Sequence, residues 1–409
     1  MAVELRPLGV KCNIACRYCY QEPQREAGNV AHEYDIETMK EAVLKAGGGF
    51  TLFGGEPLLV KLEDLDHLWK WGLETFGRNG VQTNGTLITD AHIELFKKYQ
   101  VQVGISIDGP GELNDVRWHG SLKRTRESTA KTEAAIEKLC QEGIPPSVIV
   151  TLHRGNATVD KLDEMKAWLL KLEAMGVKGA RLHTLEIEST GVGADYVLTT
   201  EENVRALAEF ARLEKHLSSL RFDVFQDMRN LLRGQDQSVT CVWAACDPMT
   251  TRAVQGVEGH GQRSNCGRTN KDGIDFVKAD SEGFERYVAL YHTPQEHGGC
   301  KGCRFFLQCK GQCPGTAIDG DWRNRTRDCE LWKILFEELE TDCLNNDRVP
   351  LSISPKREEI EQLIVESWSR GSNMYMYEAL RHLGATVRPP SATTEEFNES
   401  HGDWHGDSG

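Results

Sequence analysis

Six short apolar or β-branched runs recur along the front half of the chain, near Val3–Leu5, Phe50–Phe53, Gly80–Thr83, Val101–Ile107, Ser147–Leu152 and Ala180–Ile187. Between them lie stretches whose apolar residues return every three or four positions: Ile36–Ala46, Leu62–Thr75, Asp90–Tyr99, Ser128–Gln141 and Val159–Met175. The first pattern fits strands and the second amphipathic helices. Strands alternating with helices predict right-handed crossovers and a parallel sheet, an α/β architecture.

The pattern then changes. Glu201–Leu217 and Val224–Leu232 read as helices, and Thr251–Val257 with Gln262–Ser264 reads as a hairpin around a Gly-rich turn. Leu331–Cys343 is helical in spacing. Pro355–Leu383 is mostly helix-compatible, with Ile360, Leu363, Ile364 and Trp368 on one face. A linker follows at Arg388-Pro-Pro-Ser-Ala-Thr-Thr, and then an acidic tail carrying His401-Gly-Asp-Trp-His405-Gly-Asp. Such a composition predicts a solvated tail. A cover over the front α/β unit and a divalent-metal site on the two histidines are the sharper alternatives.

At 409 residues the chain exceeds one typical domain. The pattern predicts an α/β unit over 1–220, a bridging and cysteine-rich region over 221–345, and a helical extension with the tail over 346–409. No stretch is long and apolar enough to span a membrane. The N-terminus lacks a basic-then-apolar export signal, so a cytoplasmic location is expected. A net charge of −14 argues against a nucleic-acid groove as the main surface.

Cysteine changes the picture most. Eleven of the thirteen fall into one ordered pattern. Cys12, Cys16 and Cys19 form a C-x3-C-x2-C run with Tyr18 before the last thiol. Far downstream stand Cys241, Cys246, Cys266, Cys300, Cys303, Cys309, Cys313 and Cys329. Thiolates suit zinc and iron–sulfur clusters, and a [4Fe–4S] cluster takes four of them. Three would leave one iron open, and eight would close two clusters. Zinc sites instead bring four Cys/His ligands in close pairs, and no fourth ligand lies near the first run. Cys140 and Cys343 stand outside the pattern and read as core residues, since free Cys packs as a small hydrophobe.

The first run resembles the signature of the radical S-adenosylmethionine (SAM) superfamily, C-x3-C-x-aromatic-C. Thr51-Leu-Phe-Gly54-Gly55-Glu56-Pro57 resembles that family's second-strand motif, whose glycine backbone and Glu hold the SAM amine. Val81-Gln-Thr83-Asn84-Gly85 resembles the third-strand end. Val103-Gly-Ile-Ser106-Ile-Asp108-Gly109 resembles the fourth, which lines the ribose and carboxylate side of SAM. The resemblance implies a partial (β/α)6 barrel with its chemistry at the strands' C-terminal ends. It also implies SAM and one cluster on Cys12, Cys16 and Cys19. Tyr18, Gly54, Gly55, Glu56, Thr83, Asn84, Ser106 and Asp108 are then the expected SAM contacts. In that family an electron from the cluster cleaves SAM to a 5′-deoxyadenosyl radical.

The downstream cysteines resemble the SPASM extension of these enzymes. The C-x2-C-x5-C-x3-C spacing of Cys300, Cys303, Cys309 and Cys313 matches, with Gly261 before Cys266 and Cys329 closing the set. The resemblance implies two auxiliary [4Fe–4S] clusters, three in all. One would take Cys241, Cys246, Cys266 and Cys313. The other would take Cys300, Cys303, Cys309 and Cys329.

Radical SAM enzymes of this build resemble modifiers of peptides and proteins. The expected function is maturation of a ribosomally made peptide by C–C, C–O or C–S bond formation, with flavodoxin or ferredoxin as electron donor. An anaerobic sulfatase maturase making formylglycine is the alternative within the superfamily. Resemblance to those enzymes implies an Asp base directly after the cysteine that Cys266 matches, and here Gly267 stands there. A small-molecule dehydrogenase is a third reading, and a zinc-stabilised interaction protein is the non-enzymatic one. His183, Glu186 and Asp321 are the candidate catalytic residues, the first two near the sixth strand's end and the last beside Arg323 in a loop between cluster ligands. Cys12 comes so early that no winged-helix recognition domain is expected before it. Substrate binding would then fall to a separate protein, another surface or the C-terminal extension.

Overall fold

The computed structural model describes residues 3–28, 30–185, 192–251, 254–269, 282–345 and 349–384. Glu186, the proline-containing linker and the histidine-bearing tail lie outside the described residues. Two compact units are present. Among the described residues, the first comprises 3–223 with 255–269, and the second 224–254 with 282–384.

The first unit is built on a nine-stranded sheet. Its strands are β1 (Val3–Arg6), β2 (Phe50–Leu52), β3 (Asn79–Thr83), β4 (Val101–Ser106), β5 (Ser147–Leu152), β6 (Gly179–Thr184), β7 (Arg221–Phe222), β8 (Gln255–Glu258) and β9 (Arg263–Ser264). They run in the order β7-β6-β5-β4-β3-β2-β1-β8-β9. All neighbouring pairs are parallel except β8 with β9. The six strands read from the sequence form the consecutive block from β1 to β6. The hairpin expected near 251–264 is present, and β8 pairs with β1, Arg6 opposite Glu258. It thereby extends the first unit's own sheet.

The helices are α1 (Glu22–Glu26), α2 (Ile36–Ala46), α3 (Leu62–Phe76), α4 (Asp90–Lys98), α5 (Leu122–Gln141), α6 (Leu162–Ala174), α7 (Thr200–Glu214), α8 (Asp223–Leu232), α9 (Glu285–His292), α10 (Phe306–Cys309), α11 (Cys329–Leu344), α12 (Arg357–Ser369) and α13 (Met376–His382). Helix α5 starts six residues before its expected Ser128. Ser121 caps it, with Oγ accepting from Arg124 N at 3.3 Å. Its early buried positions are Thr125, Ser128 and Thr129, so no apolar period marks the first turns.

The sheet has two unlike faces. Val3, Leu5, Leu52, Val81, Ile105, Val148, Val150 and Leu182 are buried beneath the helices. The alternate positions Thr51, Gln82, Gln102, Ser147 and Arg181 line a mixed cavity that Val103 and Ile149 also reach. Gly104 makes room there, because a Cβ would stand 2.2 Å from Gln82 Oε1. The apolar half of the period-two pattern is what the sequence shows as strands.

The second unit holds an aromatic core. Trp243 packs edge-on against Trp332 and Phe336, at 5.3 and 5.7 Å between ring centroids. Trp368 of α12 packs on Phe284, Tyr287 and Phe306. The helical extension therefore shares this unit's core. A buried ion pair adds to the tie: Lys310 Nζ lies 3.5 Å from Asp236 Oδ2, and Asp236 Oδ1 accepts from Met376 N at the start of α13 at 2.8 Å. Cys343 is buried in α11, and Cys140 is half-buried in α5. No helix among the described residues is long and apolar enough to cross a membrane.

Candidate cluster and cofactor sites

The segment from Lys11 to Tyr20 has neither helix nor strand, so its shape comes from its contacts. The Gly-Gly-Glu run at the end of β2 lies directly against it. Gly55 N donates to Gly9 O at 3.2 Å and Glu56 N to Lys11 O at 2.8 Å. A Cβ on Gly54 would fall 2.4 Å from Gly9 O, and one on Gly55 2.2 Å from Lys11 O. Only glycine allows main chain to meet main chain this closely. On the other side Ala15 N donates to Trp118 O at 2.8 Å and Arg17 N to Val116 O at 3.0 Å.

Glu56 is buried, with three hydrogen bonds to its carboxylate. Leu58 N donates to Oε1 at 3.0 Å, Thr83 Oγ1 to Oε1 at 2.7 Å, and Asn84 N to Oε2 at 2.8 Å. Burial pushes its pKa up, and these donors oppose that shift. The carboxylate thus joins the ends of β2 and β3. Asn84 Nδ2 donates to Asn13 Oδ1 at 2.8 Å, linking β3 to the cysteine loop. Ser106 Oγ accepts from Gln82 Nε2 at 2.9 Å on the cavity side.

Burial raises the pKa of Cys12, and it pushes Cys16 up to about 12 against the opposing charge of Arg117. Three thiols within one short loop are a soft donor set, the kind that holds an iron–sulfur cluster with one iron left open.

Asp108 lies fully buried just beyond β4, in contact with Tyr18 and with three residues the sequence did not single out, Thr151, Arg117 and His153. It accepts from Tyr18 Oη and from Thr151 N at 3.0 Å. Arg117 Nη1 donates to Tyr18 Oη at 2.8 Å and stands 3.9 Å from Asp108 Oδ1. His153 Nε2 lies 3.4 Å from Asp108 Oδ2. Burial alone would raise the Asp108 carboxyl, but His153, Arg117 and Tyr18 hold it below the usual carboxylate range. Arg117 and His153 fall in segments without apolar period, which is why pattern reading passed over them.

His183 sits on β6, two positions from the cavity-lining Arg181 and so on the same face. Its Nδ1 meets Arg268 Nη2. Arginine can only donate, so Nδ1 is the acceptor and the ring proton is on Nε2. Burial, with Arg268 and Arg181 nearby, holds the imidazole well below the usual histidine range, so it is neutral. The same segment is held by the cysteine loop's flank: Gln24 Nε2 donates to Gly267 O at 3.1 Å, and a Cβ on Gly267 would meet Tyr20 Cε2 at 2.6 Å.

In the second unit Cys300, Cys303, Cys309 and Cys329 line one cavity, together with Phe305, Trp332 and Phe336 among others. Burial pushes Cys300 up to about 12, raises Cys303, and raises Cys309 well above an ordinary thiol. Among the described residues no three His, Cys, Asp or Glu side chains converge as a single-ion site. The four thiols surround a space, which fits a cluster. Of the other expected set, Cys241, Cys246 and Cys313 belong to the second unit and Cys266 to the first. Asp321 lies in a loop of the second unit, paired with Arg323 Nε at 2.8 Å.

Comparison with known proteins agrees with this geometry. The serine-type anaerobic sulfatase-maturating enzyme of Klebsiella aerogenes is 30% identical over 198 residues, covering 44% of this chain and 47% of that one. The chain thus spans about half the length of this relative. The corresponding enzyme of Bacteroides thetaiotaomicron is 23% identical over 355 residues, covering 76% and 82%. In fold, the chain is similar to native anSMEcpe with bound AdoMet and the Cp18Cys peptide. The TM-score is 0.64 at 20% identity, over 84% of this chain and 98% of that one. It is also similar to Streptococcus suis SuiB bound to precursor peptide SuiA, with a TM-score of 0.52 at 13% identity over 80% and 75%. Residues 7–169 match the radical SAM superfamily. That match takes in the cysteine loop and the strand-end residues from Gly54 to Asp108.

Proposed function

We propose that this protein is a radical SAM maturase that oxidises a side chain of a peptide or protein substrate. The observation that carries this reading is the cysteine loop, seated by Gly54, Gly55 and Asn84 at the C-terminal edge of a parallel sheet. Cys12, Cys16 and Cys19 would hold one [4Fe–4S] cluster. Gly54, Gly55, Thr83, Asn84 and Ser106 would line SAM. A cluster with SAM bound supplies a one-electron cleavage that generates a 5′-deoxyadenosyl radical. Cys300, Cys303, Cys309 and Cys329 would hold an auxiliary cluster, and Cys241, Cys246, Cys266 and Cys313 a second. A flavodoxin or ferredoxin would deliver the electron. His183, neutral and with its proton on Nε2, would offer a hydrogen-bond donor to a substrate carbonyl or hydroxyl.

Similar folds solved with a Cp18Cys peptide and with a precursor peptide support a peptide substrate. Formylglycine formation is the second reading, favoured by the sulfatase-maturating relatives. Gly267 counts against it, because the position where those enzymes are expected to carry an acid has no side chain. The test is anaerobic turnover of the reconstituted, reduced protein with two substrates, a serine-containing sulfatase-motif peptide and any short peptide encoded beside this gene. SAM should be cleaved to 5′-deoxyadenosine, and one peptide should lose two hydrogens by mass spectrometry. A hydrazide-reactive aldehyde would identify formylglycine, and a product inert to hydrazide would identify a crosslink. No SAM cleavage by iron-replete, reduced protein would reject the reading.

A further inference from the structure

We propose that Tyr18, Asp108 and Arg117 form a latch that fixes the cysteine loop, and that Asp108 is a positioning residue for that loop and not a contact for SAM. The loop lacks regular structure, yet three thiols spread over eight residues must meet one cluster to within a fraction of an ångström. Something outside the loop has to hold it. Tyr18 is the loop residue between Cys16 and Cys19, and its hydroxyl does two things at once. It donates to Asp108 Oδ2 and accepts from Arg117 Nη1 at 2.8 Å.

Both oxygens of the Asp108 carboxylate are already engaged. A carboxylate offers about four lone-pair directions. Here Oδ1 takes Thr151 N at 3.0 Å and faces Arg117, while Oδ2 takes Tyr18 Oη and faces His153 Nε2 at 3.4 Å. Its main chain is equally committed: Asp108 N donates to Asn114 Oδ1 at 2.8 Å, and its carbonyl accepts from Asn156 Nδ2 at 2.7 Å. The residue has 0% exposure. Arg117 is itself fastened to the loop, since the residues on either side of it accept the backbone bonds from Arg17 and Ala15. His153 Nδ1 accepts from Gly155 N at 3.0 Å, which turns Nε2 toward the carboxylate. The latch thus runs from the middle of the thiol run to the ends of β4 and β5. An aromatic ring at position 18 would pack equally well as Phe; the hydroxyl is what the latch requires.

The inference rests on the reading that Cys12, Cys16 and Cys19 hold a SAM-binding cluster, and its test needs no peptide substrate. Tyr18→Phe, Asp108→Asn and the double variant are reconstituted anaerobically. For each, iron content, the SAM Kd and the SAM-dependent change in the EPR spectrum of the reduced protein are recorded. Each single variant should weaken SAM binding by roughly tenfold or less, the range of one lost hydrogen bond to a charged group. Both should alter the SAM-dependent EPR change in the same way or lose the iron of that cluster, and the double variant should be no worse than either single, because coupled partners are non-additive. Weakened SAM binding in Asp108→Asn with wild-type behaviour in Tyr18→Phe would make Asp108 a SAM contact and overturn the proposal. Additive effects, or wild-type spectra in all three, would also overturn it. If Asp108→Asn fails to fold by circular dichroism, Tyr18→Phe, which keeps the ring, decides alone. A wild-type protein with no SAM-dependent spectral change would reject the functional reading instead.

Discussion

At Gly267 a Cβ would stand 2.6 Å from Tyr20 Cε2, and Tyr20 is itself adjacent to the proposed cluster ligand Cys19. The position is therefore closed to any side chain unless the Tyr20 ring moves. Gly267→Asp should destabilise the first unit by about 1–3 kcal/mol, the usual cost of overpacking. It should gain no formylglycine activity, because the carboxylate could enter only by displacing Tyr20. Urea denaturation under anaerobic conditions and a hydrazide assay check both halves. A stable, aldehyde-forming Gly267→Asp would show that Tyr20 yields and that the sulfatase-maturase reading is the better one. His183 and Arg268 make a related point. The histidine was legible as a strand-end polar residue, but its partner lies 85 positions away, and no local pattern announces such a pair.

At the scale of elements, the joint between the end of β2 and the cysteine loop carries the site. Its strength lies in main chain on main chain: Gly55 N to Gly9 O at 3.2 Å and Glu56 N to Lys11 O at 2.8 Å. Gly55→Ala puts a methyl 2.2 Å from Lys11 O and 2.4 Å from Val10 O. Neither contact can be relieved by a side-chain rotation, so the loop itself must shift. The reconstituted variant should lose roughly four irons, the content of one cluster, while the far-UV circular dichroism spectrum stays that of the wild type. Full iron content together with wild-type SAM binding would show that the joint does not set the loop. The strands were legible because their buried halves alternate or run apolar, and α2, α3 and α4 because their faces repeat. The first turns of α5 were not, since threonine and serine fill the buried positions there.

Across the whole molecule, the two units should respond separately to the loss of thiols. Cys12, Cys16 and Cys19 belong to the first unit, and the cavity-lining Cys300, Cys303, Cys309 and Cys329 to the second. Full reconstitution should give roughly twelve irons, four for each of three clusters. Cys303→Ala should remove about a third of them, abolish peptide product and leave SAM cleavage measurable. Metal and folding are coupled in small modules, so circular dichroism on the variant comes first. A folded Cys303→Ala protein that matures peptide normally would make that cluster structural. Saturation near four irons would remove the auxiliary clusters from the proposal altogether.

The order of strands and helices, the three-thiol run, the strand-end glycines and the spacing of the downstream cysteines all reside in the sequence, because each is a local period or a fixed separation. What the linear pattern could not contain is how distant polar groups satisfy one another. That Glu56 joins β2 to β3, that β8 pairs with β1, and that Tyr18 shares Asp108 with Arg117 and His153 are decided only in three dimensions. The reason is physical. A buried donor or acceptor must find a partner wherever the fold provides one, and the cost of leaving it unpaired depends on distance in space, not on separation along the chain.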